Sequence, residues 1–143
     1  MPDELAIKTL VAVRQRGVKI KIIVPGPGMD AKLVQHASRA LWGALLDAGV
    51  EFYEFQPTMY HCKVLIVDDI WVSVGSTNFD DRSFRLNDEA NLNIYDAAFA
   101  AEQVKVFPAD RANSRLMTRA EFKNRSFIGK IFDKVAGLFR GQL

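Results

Sequence analysis

The stretch YHCKVLIVDDIWVSVGSTNFDDRSFRLNDEANLNIY, residues 60–95, predicts the two strands of a hairpin, a polar loop and a third strand. Its first eight residues, YHCKVLIV, are typical of a strand, and Asp68 and Asp69 then predict a tight turn. The following IWVSVG predicts the strand that completes a hairpin. Residues 75–88, rich in Ser, Asn, Asp and Arg, predict an irregular loop, and residues 89–95 predict a further strand.

Outside this stretch, segments with helical spacing alternate with segments typical of strands. The predicted helices are residues 3–16, 31–48 and 97–107, the last broken or kinked by Pro108, and the predicted strands are 18–24 and 50–55. Such alternation predicts an α/β domain with a mixed β-sheet flanked by helices. Thr118 and Glu121 have the spacing of a capping box, which predicts a short further helix.

The carboxyl-terminal segment differs from the rest in charge. Residues 1–110 carry 11 Lys and Arg against 15 Asp and Glu, whereas residues 111–143 carry 8 against 2. Residues 126–140 place large apolar side chains on one stripe, which predicts a C-terminal amphipathic helix. We therefore predict a catalytic part at 1–115 and a basic helical tail at 116–143, which either packs on the core or lies on an anionic membrane surface.

Composition excludes several classes of protein. One cysteine, Cys62, excludes a disulfide framework and a cysteine-based metal site. The sequence contains neither a run of about 18 apolar residues, as a transmembrane helix needs, nor the pattern of a signal peptide.

The predicted first strand of the hairpin carries two side chains suited to phosphate chemistry. Residues two apart on a strand point to the same face, so His61 and Lys63 are expected to project together, with Cys62 on the other face. A buried lysine needs an anion beside it. A phosphate satisfies both groups, since lysine supplies a fixed charge and histidine can attack phosphorus or donate a proton near neutral pH.

The loop after the hairpin supplies further candidates. Ser76 and Asn78 can donate hydrogen bonds to phosphate oxygens, although an Asx turn also explains Asn78. Glu89 can orient the ring of His61, and a salt bridge to Arg82 or Arg85 is the alternative.

The spacing resembles the phospholipase D superfamily. Its pattern H-x-K-x4-D-x6-G-S-x-N is met at His61, Lys63, Asp68, Gly75, Ser76 and Asn78, and Asn87-Asp88-Glu89 is similar to the family's N-x-E element. Over roughly residues 2–115 the chain resembles the C-terminal half of bacterial cardiolipin synthases, for example in RGVKIKIIVPG and GSTNFDDRSFRLNDEANLNIYD.

The resemblance implies a phospholipase D-like half-domain that works together with a second half. Two such motifs then form one site, in which one histidine becomes a phosphohistidine and the other protonates the leaving alkoxide. The resemblance implies that lysines and asparagines bind the phosphoryl oxygens, that Asp68 is structural, and that no metal or other cofactor is required.

This sequence carries a single motif. His36 is the other histidine, and no lysine follows it by two residues, so we expect it to pack on a helix or lie at the surface. The resemblance therefore predicts either a fragment that lacks a first half and one strand, or a homodimer that joins two copies of the motif. Similarly, Ser38 and Arg39 resemble a segment near the family's site, and a solvated helix face is the alternative.

The resemblance implies a cardiolipin synthase type phosphatidyltransferase acting on phosphatidylglycerol or another anionic phospholipid. It implies a peripheral location at the cytoplasmic face of the bacterial inner membrane. The alternatives are a homodimeric phosphodiesterase or nuclease, and an inactive half that binds lipid. The net negative charge of residues 1–110 makes nucleic acid an unfavourable partner.

Overall fold

The computed structural model describes residues 4–26, 39 and 42–125. Two predicted helices lie partly or wholly outside the described residues. These are the helix over 31–48, of which residues 31–38, 40 and 41 are not described, and the helix over 126–140. His36 and Ser38 are also outside them. The described helices are α1 (Glu4–Gln15), α2 (Trp42–Ala48), α3 (Asp81–Arg85), α4 (Ala97–Ala112) and α5 (Arg119–Lys123). The described strands are β1 (Lys21–Pro25), β2 (Glu51–Phe55), β3 (Val64–Val67), β4 (Trp71–Gly75), β5 (Asn91–Tyr95) and β6 (Ser114–Met117).

The described strands form two sheets of three. In the first sheet the order is β1-β2-β6, with β1 parallel to β2 and β6 antiparallel to it. In the second the order is β3-β4-β5, and all pairs are antiparallel. Helix α4 contacts strands of both sheets. The α/β class with mixed strand directions is thus confirmed, with the strands divided between two sheets.

A cluster of large apolar side chains holds the first sheet against its helices. Its buried members are Trp42, Leu45, Leu46, Val50, Phe52 and Met117. The rings of Trp42 and Phe52 stack with centroids 4.7 Å apart. Burial of each such side chain stabilises the fold by roughly 1.5–3 kcal/mol, so this cluster supplies much of the stability of the described part.

A buried carboxylate on the central strand of the same sheet joins two arginines. Glu54 is fully buried, and its carboxylate accepts hydrogen bonds from Arg39 and, at 2.7 Å, from Nη2 of Arg115. A buried charge requires such partners because burial removes its hydration. Arg39, for which a solvated helix face is one interpretation of the sequence, instead forms an ion pair with a core residue.

The structure corrects several predicted elements. Strand β3 begins at Val64 rather than at residue 60, and the loop after β4 contains the short helix α3. Helix α4 continues through Pro108 to Ala112, and the side chain of Asn113 donates to the Ala109 carbonyl near its end. The capping box at Thr118 is confirmed at the start of α5.

Strand β6 was not predicted from the sequence. It pairs with β2, and its Met117 belongs to the buried cluster. The predicted boundary between residues 115 and 116 lies within this strand. The division into a catalytic part and a tail stays a prediction, while the fold of the described residues continues past that position to α5.

Candidate active site

The turn of the β3–β4 hairpin lies far from the candidate histidine. Asp68 and Asp69 have φ angles of 50° and 55°, and the backbone N–H of Ile70 donates to the Val67 carbonyl at 3.3 Å. Two successive positive φ angles are typical of the type I′ turn that suits a hairpin. The predicted tight turn is therefore confirmed. Asp68 is five positions beyond Lys63 along extended chain, a span of about 16 Å. The structural role of Asp68 stays a prediction.

His61 and Lys63 lie in the irregular segment that leads into β3. The strand does not set their orientation, but the Gly75 N–H donates to the Lys63 carbonyl at 3.3 Å and so ties Lys63 to the end of β4. The ammonium Nζ of Lys63 donates to the His61 carbonyl at 3.2 Å. His61 and Cys62 are exposed, and Lys63 is half-buried. The Lys63 ammonium thus contacts the backbone of His61, and both residues lie just before β3 at the open end of the second sheet.

Tyr60, the residue before His61, contacts a residue that is distant from it in the sequence. The Tyr60 hydroxyl donates to Oδ2 of Asp110 at 2.9 Å, and its ring lies 4.9 Å from that of Phe55. Burial, and then the hydrogen bond to Asp110, raise the pKa of Tyr60 above its ordinary value of 10. Sequence reasoning missed this contact because its two residues lie 50 positions apart, and no local spacing links them.

The loop after β4 joins the strand β5 through the side chains of Ser76 and Glu89. The Ser76 hydroxyl donates to Oε2 of Glu89 at 2.5 Å and accepts from the Ala90 N–H at 3.1 Å. The other carboxylate oxygen of Glu89 accepts from the Ser83 hydroxyl at 2.9 Å and from the Asn87 amide at 3.2 Å. The motif's Gly75-Ser76 and its Asn87-Asp88-Glu89 element therefore meet in one hydrogen-bonded cluster.

These partners change the ionisation of Glu89. The hydrogen bond from Ser76, followed by those from Ser83 and Asn87, lowers the pKa of Glu89 below its ordinary value, and the positive charge of Lys63 adds to the effect. The carboxylate is thus an anion that lies in the field of Lys63. Its contacts here are to hydroxyl and amide groups, and its predicted role in orienting His61 stays a prediction.

Helix α3 shapes the loop between Ser76 and Glu89. Asp80 caps this helix by accepting from the Ser83 N–H at 2.8 Å, and its own N–H donates to the Asn78 carbonyl at 2.8 Å. The Asn78 backbone thus takes part in a turn, while the residue itself is exposed. Its predicted contact with a phosphate oxygen stays a prediction.

Gly75 allows the close approach of β4 to the chain that follows Glu89. A Cβ atom on this residue would lie 2.1 Å from the Ala90 carbonyl oxygen and 2.2 Å from Oδ1 of Asn91. Any larger residue must therefore displace the backbone on which Ser76 and Glu89 meet. The glycine of the motif is explained by this crowding.

The arrangement brings an imidazole, an ammonium, a hydroxyl and a carboxylate to one end of the sheet β3-β4-β5. Within residues 4–26, 39 and 42–125, no group of three or more His, Cys, Asp or Glu side chains is arranged to hold a metal ion. Helices in the same ranges include none long and apolar enough to cross a bilayer. The groups present are suited to bind an anion and to attack it with an imidazole nitrogen.

Known proteins that are similar to this chain include cardiolipin synthases and other phospholipase D-like proteins. The family model described as cardiolipin synthase, PLD-like domain, matches residues 1–111. The chain is 38% identical over 127 residues to the minor cardiolipin synthase ClsB of Bacillus subtilis, covering 89% of this chain and 32% of that protein. It is 36% identical over 139 residues to cardiolipin synthase A of Pectobacterium carotovorum, covering 97% of this chain and 28% of that protein.

Two solved structures share the fold. Nuc from Salmonella typhimurium, a phospholipase D family member, matches with a TM-score of 0.72 and 25% identity over 82% of this chain and 76% of Nuc. Phosphatidylserine synthase from Haemophilus influenzae matches with a TM-score of 0.66 and 20% identity over 95% of this chain and 35% of the synthase. Because the family model spans most of the chain, this protein belongs to the cardiolipin synthase family of phospholipase D-like domains.

Proposed function

We propose that this chain supplies one half of a phosphatidyltransferase site of the cardiolipin synthase type, with His61 as the group that carries the phosphatidyl moiety. The main support for the proposal is that residues from separate parts of the motif meet at one end of the sheet β3-β4-β5. There the Lys63 backbone carbonyl accepts from the Gly75 N–H at 3.3 Å, and the Ser76 hydroxyl donates to Glu89 at 2.5 Å. Similarity to cardiolipin synthases supports phosphatidylglycerol, an anionic phospholipid, as the substrate.

In the proposed reaction an imidazole nitrogen of His61 attacks the phosphorus of one phosphatidylglycerol. The bond from phosphorus to the glycerol oxygen breaks, and glycerol leaves after it receives a proton from an acid. A hydroxyl of a second phosphatidylglycerol then attacks the phosphohistidine and gives its proton to the same group, which releases His61 and forms cardiolipin. The covalent route divides one difficult displacement into two easier steps.

The surrounding side chains have distinct proposed roles. Lys63 and Asn78 bind the phosphoryl oxygens, whose negative charge increases as the nucleophile approaches. Ser76 joins them when its single hydroxyl proton turns from Glu89 to the phosphate. Glu89 orients the loop through Ser76 and Ser83 and keeps a negative charge close to Lys63. Asp68, at the far turn, supports the hairpin rather than the phosphate.

The acid that protonates glycerol is proposed to come from a second phospholipase D-like half. The chain spans about a third of the length of the cardiolipin synthases that it matches, and it carries one copy of the motif. The second half is either part of a longer polypeptide or a second copy of this chain. Both arrangements place a second histidine opposite His61.

A homodimeric phosphodiesterase that cleaves nucleic acid is the second candidate function. The match to Nuc, which covers 76% of that chain, favours it. The excess of acidic residues within 1–110 opposes it, because affinity for nucleic acid depends on neutralising phosphates with Lys and Arg. A half that binds anionic lipid without turnover is a third candidate, supported by the basic residues of 111–143 and compatible with a peripheral place on the inner membrane.

Turnover of phosphatidylglycerol vesicles, combined with the molar mass in solution by light scattering, tests the proposal. We expect the wild-type chain to form cardiolipin or phosphatidic acid as a dimer, or after mixing with an amino-terminal half of ClsB. His61→Asn should lower turnover by roughly 10³-fold or more, whereas the matched change His36→Asn should leave it unaltered. Turnover by the His61 variant near the wild-type rate would refute the assignment, and cleavage of DNA without lipid turnover would favour the second candidate.

A further inference from the structure

The segment between β2 and β3 carries His61, and its backbone is tied at its two ends. The Gln56 N–H donates to the Asn113 carbonyl at 3.1 Å where the segment begins, and the Lys63 carbonyl accepts from Gly75 where it ends. No helix or strand includes residues 56–63. The position of the imidazole therefore depends on side-chain contacts made within the segment.

The residue immediately before His61 makes two such contacts. Tyr60 is half-buried, its hydroxyl lies 2.9 Å from Oδ2 of Asp110, and its ring packs on Phe55. The ring contact fixes the side chain against the end of β2, and the hydrogen bond fixes it against α4. Because Tyr60 is next to His61 in the chain, both contacts restrict the backbone that carries the imidazole.

Asp110 occupies a position where a carboxylate needs a specific partner. It lies in the last turn of α4, where the negative end of the helix dipole disfavours an anion. The Ser114 hydroxyl donates to the Asp110 carbonyl at 2.7 Å, which fixes the backbone of this turn. The acceptor of the Tyr60 hydrogen bond therefore lies on the helix that contacts strands of both sheets.

We propose that Tyr60 and Asp110 form a positioning pair for His61, in which the hydroxyl–carboxylate hydrogen bond sets where the imidazole lies relative to Lys63 and the Ser76–Glu89 cluster. The raised pKa of Tyr60 agrees with this role, since the phenol remains a protonated donor throughout the neutral range. The effect of the pair on turnover rests on the proposed function, but its effect on the geometry of His61 does not.

The first test observes the imidazole directly. Because the chain has two histidines, the ring signals of His61 in a ¹H–¹³C spectrum of the full chain can be assigned with a His61→Gln variant, and those of His36 serve as an internal reference. We expect Tyr60→Phe and Asp110→Ala to shift or broaden the His61 signals and to leave the His36 signals in place. Asp110→Asn, whose amide oxygen can accept the same bond, should restore most of the wild-type spectrum.

Tyr95→Phe is the matched control, because Tyr95 is 80% exposed and pairs with Trp71 beside the hairpin turn, at the end of the sheet away from Lys63. It should leave the His61 signals unchanged. Thermal unfolding of each variant separates folding from positioning. A lower Tm for Tyr60→Phe with wild-type His61 signals would overturn the proposal and leave the pair a purely structural contact.

The second test uses turnover of phosphatidylglycerol in the active assembly. A misplaced nucleophile costs rate rather than binding, so we expect Tyr60→Phe to lower kcat by roughly 10- to 100-fold with KM almost unchanged. If the wild type has no turnover in any assembly, the proposed function fails. The spectra still show whether Tyr60 and Asp110 position the His61 ring. An unaltered kcat together with unaltered spectra would refute the positioning role.

Discussion

The two sheets of this protein differ in how completely their side chains are buried. The sheet β1-β2-β6 packs Leu45 and its neighbours into a continuous cluster in which Leu45 is 1% exposed. In the sheet β3-β4-β5, β4 is central and its Val72 is fully buried, but the flanking strands keep large apolar side chains exposed. Leu65 on β3 is 50% exposed. The first sheet therefore holds the fold, and the second presents the candidate site.

This difference indicates where substitutions act. Burial of apolar area dominates stability, so changes in the first sheet should unfold the chain. Changes in the second sheet should act mainly on the arrangement of Lys63, Ser76 and Glu89. The four predictions that follow test this division.

The largest expected effect is at Glu54, the buried carboxylate of the first sheet. Glu54→Ala removes the carboxylate that pairs with Arg39 and Arg115. Arg115 keeps its ion pair with Glu121, but the largely buried Arg39 loses its ion pair. Breaking a buried ion pair in this way typically costs about 3–5 kcal/mol, which urea unfolding can measure. Glu102→Ala, at an exposed ion pair with Lys105, is the control and should cost less than about 1 kcal/mol. Equal costs for the two variants would show that the Glu54 cluster does not support the fold.

A pair of identical substitutions compares the two sheets directly. Leu45→Ala opens a cavity in the buried cluster and should lower the free energy of unfolding by about 2–5 kcal/mol. Leu65→Ala removes a side chain that is half exposed and should cost well under half as much. Denaturant unfolding of both variants, with matching m-values, checks the ratio. A cost at Leu65 as large as that at Leu45 would contradict the division between the sheets.

Local patterns in the sequence were sufficient to predict the parts of the fold that depend on neighbouring residues. The turn at Asp68 and Asp69 and the capping box at Thr118 each involve residues within three positions of one another, and both are confirmed. The convergence of Lys63 with Gly75, the residue before Ser76, also followed from the predicted hairpin, because a hairpin brings its two ends together.

Contacts between distant positions could not be predicted in the same way. Strand β6 has four residues and lies 61 positions from the carboxylate that its Arg115 contacts. Tyr60 and Asp110, and Arg39 and Glu54, also meet through tertiary packing rather than through periodicity. Helix α3 could not be predicted from its polar segment, because five residues are too few to show apolar side chains at helical spacing.

A smaller effect is expected from Gly75 on the second sheet. In Gly75→Ala the new Cβ would lie 2.1 Å from the Ala90 carbonyl oxygen, so the backbone at the Ser76–Glu89 cluster must shift. Overpacking of this kind costs about 1–3 kcal/mol. In the control Gly43→Ala, the Cβ would lie 3.5 Å from the Phe122 ring, an ordinary contact, and the helix should be unaffected or slightly more stable. Amide spectra should show shifts near β5 for the first variant, and their absence would contradict the crowding argument.

The smallest expected effect is the pH dependence contributed by Glu89. Its hydrogen bonds lower its pKa below the ordinary value of 4.5, so the folded state favours the ionised carboxylate. Its contribution to stability is therefore fully present above about pH 4.5 and is lost as the pH falls through the lowered pKa. Wild type should exceed Glu89→Gln in free energy of unfolding near neutral pH, and the difference should shrink as the pH falls below that value.

The two chains must be compared at each pH, because Asp47 and Glu121 also have lowered pKa values and titrate in both. Their effect cancels in the difference. Ser83→Ala removes one hydrogen-bond donor to Glu89 and should make the pH-dependent difference in free energy of unfolding smaller. It should not abolish the difference, because the hydrogen bond from Ser76, the largest cause of the lowered pKa, remains. A difference that stays constant from neutral pH to pH 3 would mean that the Ser76–Glu89 cluster does not favour the ionised carboxylate. Glu89 would still be an anion near neutral pH, but its hydrogen bonds with Ser76, Ser83 and Asn87 would not be what stabilises that charge beside Lys63.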